Sequence, residues 1–276
     1  MKTCFLQALE IYLPTGRKMS RFFRLPTRDP RTIARDIPGI VDVLFPQLIP
    51  GIVASLNASS ESIRSLQPVD GNVLSQSTLN AAMLFELSQA RAEQILRQEE
   101  MNWNTCLSIA STRQNRFYDA VTPSELRDID IDIAEHVARN TVTSLESLKT
   151  RFNDSEISIS PKIPGLHWIS PSYADYATTS CLIEVKCTQK GFGSSDYRQI
   201  LLYWLLSLAS SFEMNLETWQ RGILLNPRKN SVVIFSFHEL SALLSGGKSL
   251  VELIEQLQAL LADNCEKLSH TPYSHL

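Results

Sequence analysis

No cysteine framework is present. The five cysteines, Cys4, Cys106, Cys181, Cys187 and Cys265, are odd in number and widely separated, and none forms a C-x-x-C pair. This argues against a disulfide scaffold, a zinc site or an iron–sulfur cluster, and it suits a reducing cytoplasm. His167, His238, His270 and His275 likewise show no metal-ligand spacing. Long apolar runs are missing too: "ILLYWLLSLA" at 200–209 is about half of the ~20 residues that a membrane helix needs. The opening "MKTCFLQALEIYL" is interrupted by Gln7 and Glu10, and no small-residue cleavage site follows, so neither a secretory leader nor membrane association is expected. Charge of one sign is not in excess, with 26 Lys and Arg against 29 Asp and Glu. Any contact with a polyanion must therefore come from a local patch. "ALLSGGKSL" resembles a phosphate loop but has Ala242 where the first glycine is required. Gly246 and Gly247 read better as a helix stop, and no nucleotide hydrolysis is implied.

What is present is enough apolar material, 43% of 276 residues, for one large domain or a domain with an extension. The stretch "RKMSRFFRLPTRDPRTIAR" from Arg17 to Arg35 concentrates basic residues. It reads either as an arm that grips phosphates or as a solvated or partner-covered connector. Residues 37–70 suggest short helices and loops. In "VLSQSTLNAAMLFELSQARAEQILRQEE", Leu74, Leu79, Met83, Leu87, Ala90 and Ile95 recur near helical spacing and predict one long amphipathic helix. A second helix is expected over Met101 to Tyr118, and a third after the start signal Thr-Pro-Ser-Glu at 122–125. Residues 1–120 thus read as a mostly helical region, suited to a protein partner or to DNA.

After Phe152 the pattern changes. "ISISPKI", "HWISPSYADYA" and "CLIEVKCTQ" predict strands, followed by a helix at "SDYRQILLYWLLSLASS", strands at "RGILLN" and "SVVIFSF", and a helix at "SLVELIEQLQALLADN". This is an α/β layer arrangement over 121–264, with a flexible tail over 265–276.

Side chains alternate along a strand. In "CLIEVKCTQK" the residues Cys181, Ile183, Val185 and Cys187 therefore share one apolar face, while Leu182, Glu184, Lys186 and Thr188 share the other. A tight turn centred on Thr179 and Ser180 sets Asp175 opposite Glu184. Two carboxylates at that spacing repel unless a cation neutralises them, and magnesium suits such a site. Removing either acid is expected to leave the fold intact or slightly more stable. Lys186 can orient or deprotonate a water, or stabilise a charged phosphate transition state.

Asp175, Glu184 and Lys186 match the motif of the PD-(D/E)XK nuclease superfamily, which the chain resembles over about residues 125–262. Ala174 precedes Asp175 where proline is usual. Gln199 and Tyr203 on the next helix look like the Q-x-x-x-Y element of the RecB-like branch, and Glu135 matches the acid on its first core helix. The resemblance implies a restriction-endonuclease-like core, a mixed central sheet flanked by helices. It implies that Asp175, Glu184, the Val185 carbonyl and Glu135 hold Mg²⁺, for which Mn²⁺ can substitute. Lys186 would serve the nucleophile. Gln199 either faces the metal site or makes a structural hydrogen bond, Tyr203 either meets substrate or packs in the core, and Arg198 and Lys190 either line a phosphate-binding cleft or are ordinary surface residues. The activity implied is phosphodiester hydrolysis, in DNA before RNA, within a defence, restriction or repair system. The alternative is a catalytically silent scaffold or DNA-binding subunit.

Overall fold

The computed structural model describes residues 28–36, 39–115, 123, 125–214 and 218–270. Arg17, Lys18, Arg21 and Arg24 of the basic segment, the first residues of the chain and residues 271–276 of the expected tail lie outside the described residues.

Among the described residues seven helices come first: α1 (Pro30–Asp36), α2 (Ile40–Leu44), α3 (Pro50–Ala58), α4 (Gly71–Leu74), α5 (Ala81–Leu96), α6 (Trp103–Gln114) and α7 (Asp128–Phe152). The strands β1 (Ile157–Ile159), β2 (Lys162–Ile163), β3 (Ser172–Tyr173), β4 (Tyr176–Thr178) and β5 (Cys181–Val185) follow. Then come α8 (Ser194–Met214), β6 (Arg221–Asn226), β7 (Ser231–Ser236), α9 (Phe237–Ser245) and α10 (Leu250–His270).

Five strands form a mixed sheet in the order β1-β4-β5-β6-β7, with β2 and β3 paired separately. Among the described strands of this sheet only the β5–β6 pair is parallel, and α8 lies between these strands in the sequence, as a parallel connection requires. The expected alternation sorts the residues of β5 between two layers. Cys181, Ile183 and Val185 pack with Leu145 and Leu148 of α7, whereas Leu182 packs with Ile200, Leu201 and Tyr203 of α8. Glu184 belongs to the α8 side by the same alternation.

The turn between β4 and β5 is held from outside. Asp154 Oδ2 accepts hydrogen bonds from Thr178 Oγ1 (2.5 Å) and Ser180 Oγ (3.0 Å), just after α7 ends on Asn153 in the left-handed conformation at φ 56°. The chain therefore leaves α7 with its next acid directed at the turn.

Two helical expectations are revised. The long helix over 73–100 is broken into α4 and α5, because Ser77 and Thr78 turn to bond Asp130. Ser77 Oγ and Thr78 N donate to its Oδ1 at 2.7 and 3.0 Å, and Thr78 Oγ1 donates to Oδ2 at 2.7 Å. Asn80 then starts α5 by accepting from Met83 N at 2.7 Å. Such side chains compete with the helix for backbone partners. Asp130 is fully buried. The third helix begins at Asp128, later than its start signal.

The division near residue 120 is not a boundary between cores. Ile33, Val41, Leu44 and Phe45 share one hydrophobic cluster with α8, α9 and α10, while α5 and α6 share another with α7. Helices as short as α1 and α2 bury their apolar faces only by docking on a longer neighbour. Gly246 caps α9 at φ 76°, in keeping with the helix stop expected there. No helix among the described residues is long and apolar enough to cross a membrane.

Candidate active site

The β4–β5 register pairs Tyr176 with Ile183 and Ala177 with Leu182, so one step outward Asp175 stands opposite Glu184. Asp175 lies at the bend between β3 and β4, and its Oδ2 accepts a hydrogen bond from Val185 N at 2.8 Å. Its carboxylate is thereby fixed to the strand that carries Glu184.

Glu184 is 2% exposed. Its Oε1 accepts from Lys186 Nζ at 2.8 Å and from Gln199 Nε2 at 2.5 Å, while Oε2 is buried with no partner among the described residues. Lys186 Nζ also donates to Gln199 Oε1 at 3.1 Å. Gln199 and Tyr203, one turn apart on α8, present the same face, and Gln199 Nε2 donates to Tyr203 Oη at 3.2 Å. Gln199 thus makes structural hydrogen bonds to Glu184, Lys186 and Tyr203.

The polar chain continues to a residue not singled out in the sequence. Arg31 of α1 donates from Nε to Tyr203 Oη at 2.8 Å and from Nη2 to the Tyr173 carbonyl at 2.9 Å. The available signal was its membership of the basic stretch, which does not say which arginine turns inward.

Burial and the nearby Glu184 carboxylate push the Asp175 carboxyl up to about 7, against the opposing pull of Lys186 and Arg31. Burial alone would lower Lys186, but Glu184 and Asp175 outweigh it and its pKa lies above the ordinary lysine value. Lys186 is thus a held ammonium. Burial also opposes charge on Arg31, yet Tyr203, Glu184 and Asp175 more than compensate. Burial, followed by the Glu184 charge, raises the Tyr203 phenol.

Two expected site residues, Glu135 and Arg198, are turned elsewhere, and a third, Lys190, is exposed. Glu135 is bound by Arg91 Nε at 2.7 Å and by Arg139 Nη2 at 2.6 Å. Its place on α7 directs it to α5 and to a cleft lined by Gln67, Asp132 and His136, because a 3.6-residue period does not say which neighbour a polar face meets. His136, its sequence neighbour, is bonded to the Gln67 carbonyl at 3.1 Å. Arg198 pairs with Asp42 at 2.6 Å, since adjacent helix positions point about 100° apart and Gln199 already faces the sheet. Lys190 is exposed on the loop after β5, where its carbonyl accepts from Thr188 Oγ1 at 2.7 Å.

Among the described residues no group of three or more His, Cys, Asp or Glu side chains is arranged to hold a metal. Asp175 and Glu184 form a pair, which suits an ion that takes one or two carboxylates and fills its remaining positions with water or substrate oxygen. The buried Glu184 Oε2 without a partner fits that use, because an orphaned buried carboxylate oxygen otherwise carries its desolvation cost uncompensated. No family model matches the chain, and no curated protein matches it.

Proposed function

We propose that the chain is a magnesium-dependent nuclease built on a PD-(D/E)XK-like core and hydrolysing phosphodiester bonds. One observation carries the reading: Asp175 and Lys186 flank Glu184 on a single hairpin, and the second oxygen of Glu184 is buried with no partner among the described residues. Asp175 and Glu184, with the Val185 carbonyl beside them, are the groups that would hold Mg²⁺ or Mn²⁺. The ion would supply Lewis acidity and neutralise charge building on the phosphate.

The chain's own residues have separable roles. Lys186, kept charged by its two acidic neighbours, stabilises a phosphate oxygen or orients water as a donor rather than removing a proton as a base. Gln199 holds Lys186 and Glu184 at fixed separation by bonding both. Tyr203 steadies Gln199 from the side away from the strand. DNA rather than RNA as substrate rests on the resemblance alone, as does a place in a defence, restriction or repair system with a partner docked on the helical first half.

The test is incubation of the purified chain with circular, linear and single-stranded DNA and with RNA, with and without Mn²⁺, beside Glu184→Ala. Metal-dependent cleavage lost in the variant is expected; equal cleavage by both proteins sinks the assignment.

A second reading, a silent scaffold, draws support from the Glu184–Lys186–Gln199 network, in which the acid is paired with an ammonium and an amide of the chain itself. Calorimetry separates the two: Mn²⁺ uptake that depends on Asp175 and Glu184 favours the enzyme, and no uptake favours the scaffold.

A further inference from the structure

Arg31 comes from the far end of the chain, 172 positions from Tyr203, yet it joins the same polar network as the candidate catalytic groups. Its helix is anchored, because Ile33 and Ala34 are buried in the core that includes α8. Its guanidinium is oriented, because Nε is spent on the Tyr203 hydroxyl and Nη2 on the Tyr173 carbonyl. The remaining nitrogen, Nη1, has no hydrogen-bond partner among the described residues, and the side chain is only partly buried. Neither held contact is to an anion. Two other inward-facing arginines are matched to carboxylates, Arg91 to Glu135 and Arg113 to Glu93. Arg31 instead has a phenol and a carbonyl, which fix its plane and leave its charge directed at the site.

The charge balance of the site points the same way. The site brings together two acids, Asp175 and Glu184, and two bases, Lys186 and Arg31, on one polar network. A divalent ion held by the acids would leave the group with a net positive charge, which favours an anion, and the phosphodiester of a strand supplies one negative charge against it. A guanidinium with a free N–H edge matches phosphate oxygens in geometry as well as in sign.

We propose that Arg31 is the phosphate-binding residue of this site, contacting a non-bridging phosphate oxygen of a nucleic-acid strand while Tyr203 and the Tyr173 carbonyl hold its orientation. The nuclease reading supplies only the identity of the anion; the contact itself does not require that the strand be cut. Arg31 is accordingly a binding residue, and its loss is read in affinity and in salt dependence.

The experiment measures binding of a fluorescent 12-nucleotide single-stranded DNA to the full chain, with Ca²⁺ replacing Mg²⁺, over a range of salt. Wild type is compared with Arg31→Ala, Arg31→Gln and Arg31→Lys, with circular dichroism to verify folding. Loss of one phosphate contact flattens the slope of log K against log salt by about 0.7 for a single strand. Arg31→Ala and Arg31→Gln should show that change with roughly tenfold weaker binding, whereas Arg31→Lys should keep the slope and lose part of the affinity. If Arg31→Ala fails to fold, Arg31→Gln decides, since its amide can still bond Tyr203. Wild-type affinity and slope in a folded Arg31→Gln overturn the proposal, as does absence of binding by wild type. An Arg31-dependent slope in a protein that takes up no Mn²⁺ and cuts nothing would instead retain Arg31 and reject the nuclease.

Discussion

Lys186 and Glu184, two positions apart on β5, are bonded at 2.8 Å, with side chains 12% and 3% exposed. The acid is therefore already neutralised by a residue of its own strand. The two carboxylates of the hairpin are consequently not equivalent: Asp175 is held by a neutral backbone amide, and Glu184 by an ammonium.

That inequality revises the expectation that removing either acid is harmless. Asp175→Asn relieves repulsion and keeps an oxygen for Val185 N, so metal-free stability should rise. Glu184→Ala leaves the ammonium of Lys186 buried without its carboxylate and should cost roughly 3–5 kcal/mol, the usual range for breaking a buried pair from one side. Urea unfolding of both variants in EDTA measures the contrast; equal shifts in the same direction would contradict it.

The raised pKa of Asp175 sets a pH window. With a folded value of about 7 and an unfolded value near 3.9, the native state keeps a proton that the unfolded chain has released. Stability from this group is present at low pH, declines as pH rises above about 4, and stops declining above about 7. The melting temperature of the metal-free protein should therefore fall between pH 5 and 7 relative to Asp175→Asn, and the difference should level off by pH 8. A gap independent of pH would show that Asp175 titrates normally.

Metal should reverse this effect. At an Mn²⁺ concentration a hundred times its Kd, a single site on the native state adds about 2.7 kcal/mol, and chelation removes it. Differential scanning calorimetry with and without EDTA should show that gain in wild type and not in Asp175→Asn. A gain of the same size in both would place the ion elsewhere.

Gln199 bonds both partners of the ion pair, so Gln199→Ala should weaken metal affinity or cleavage by roughly 10- to 100-fold, the usual effect of an orienting group behind a ligand. Glu184 and Lys186 remain in place, and the variant should retain residual activity that Glu184→Ala lacks. Kinetics of the two variants on one substrate makes the comparison.

On the opposite layer, Tyr176 Oη donates to Gln89 Oε1 of α5 at 2.9 Å, and both side chains are buried. Tyr176→Phe removes the donor and strands the amide oxygen, at a cost of roughly 1–3 kcal/mol. Chemical denaturation checks this, with a doubly substituted Tyr176→Phe, Gln89→Leu protein expected to recover part of the loss.

The hairpin was legible in the sequence because a strand has only two faces and a short turn permits one register. Asp175, Glu184 and Lys186 could be brought together from spacing alone, and the turn residues Thr179 and Ser180 were already distinctive. Gln199 and Tyr203 were singled out by the family resemblance, and helical spacing added only that they share one face. The direction of Glu135 was not legible, since a helix offers several polar directions and Arg91, on a different helix, decided among them. Arg31 was illegible individually because the contact that defines it spans most of the chain. The break between α4 and α5 was hidden for a related reason: Asp130, which causes it, lies 53 and 52 positions from Ser77 and Thr78.

The turn at Thr179 and Ser180 also limits how this hairpin can vary. One inserted residue between Thr178 and Cys181 would either loosen the loop or slide the ladder by a single step. Because the pleat has a period of two, sliding would send the carboxylate of Asp175 into the oily layer against α7 and bring the ring of Tyr176 round to Lys186. Length at this corner is thus a quantity counted in odd and even, and variants that lengthen it by two residues should tolerate the change far better than those that lengthen it by one.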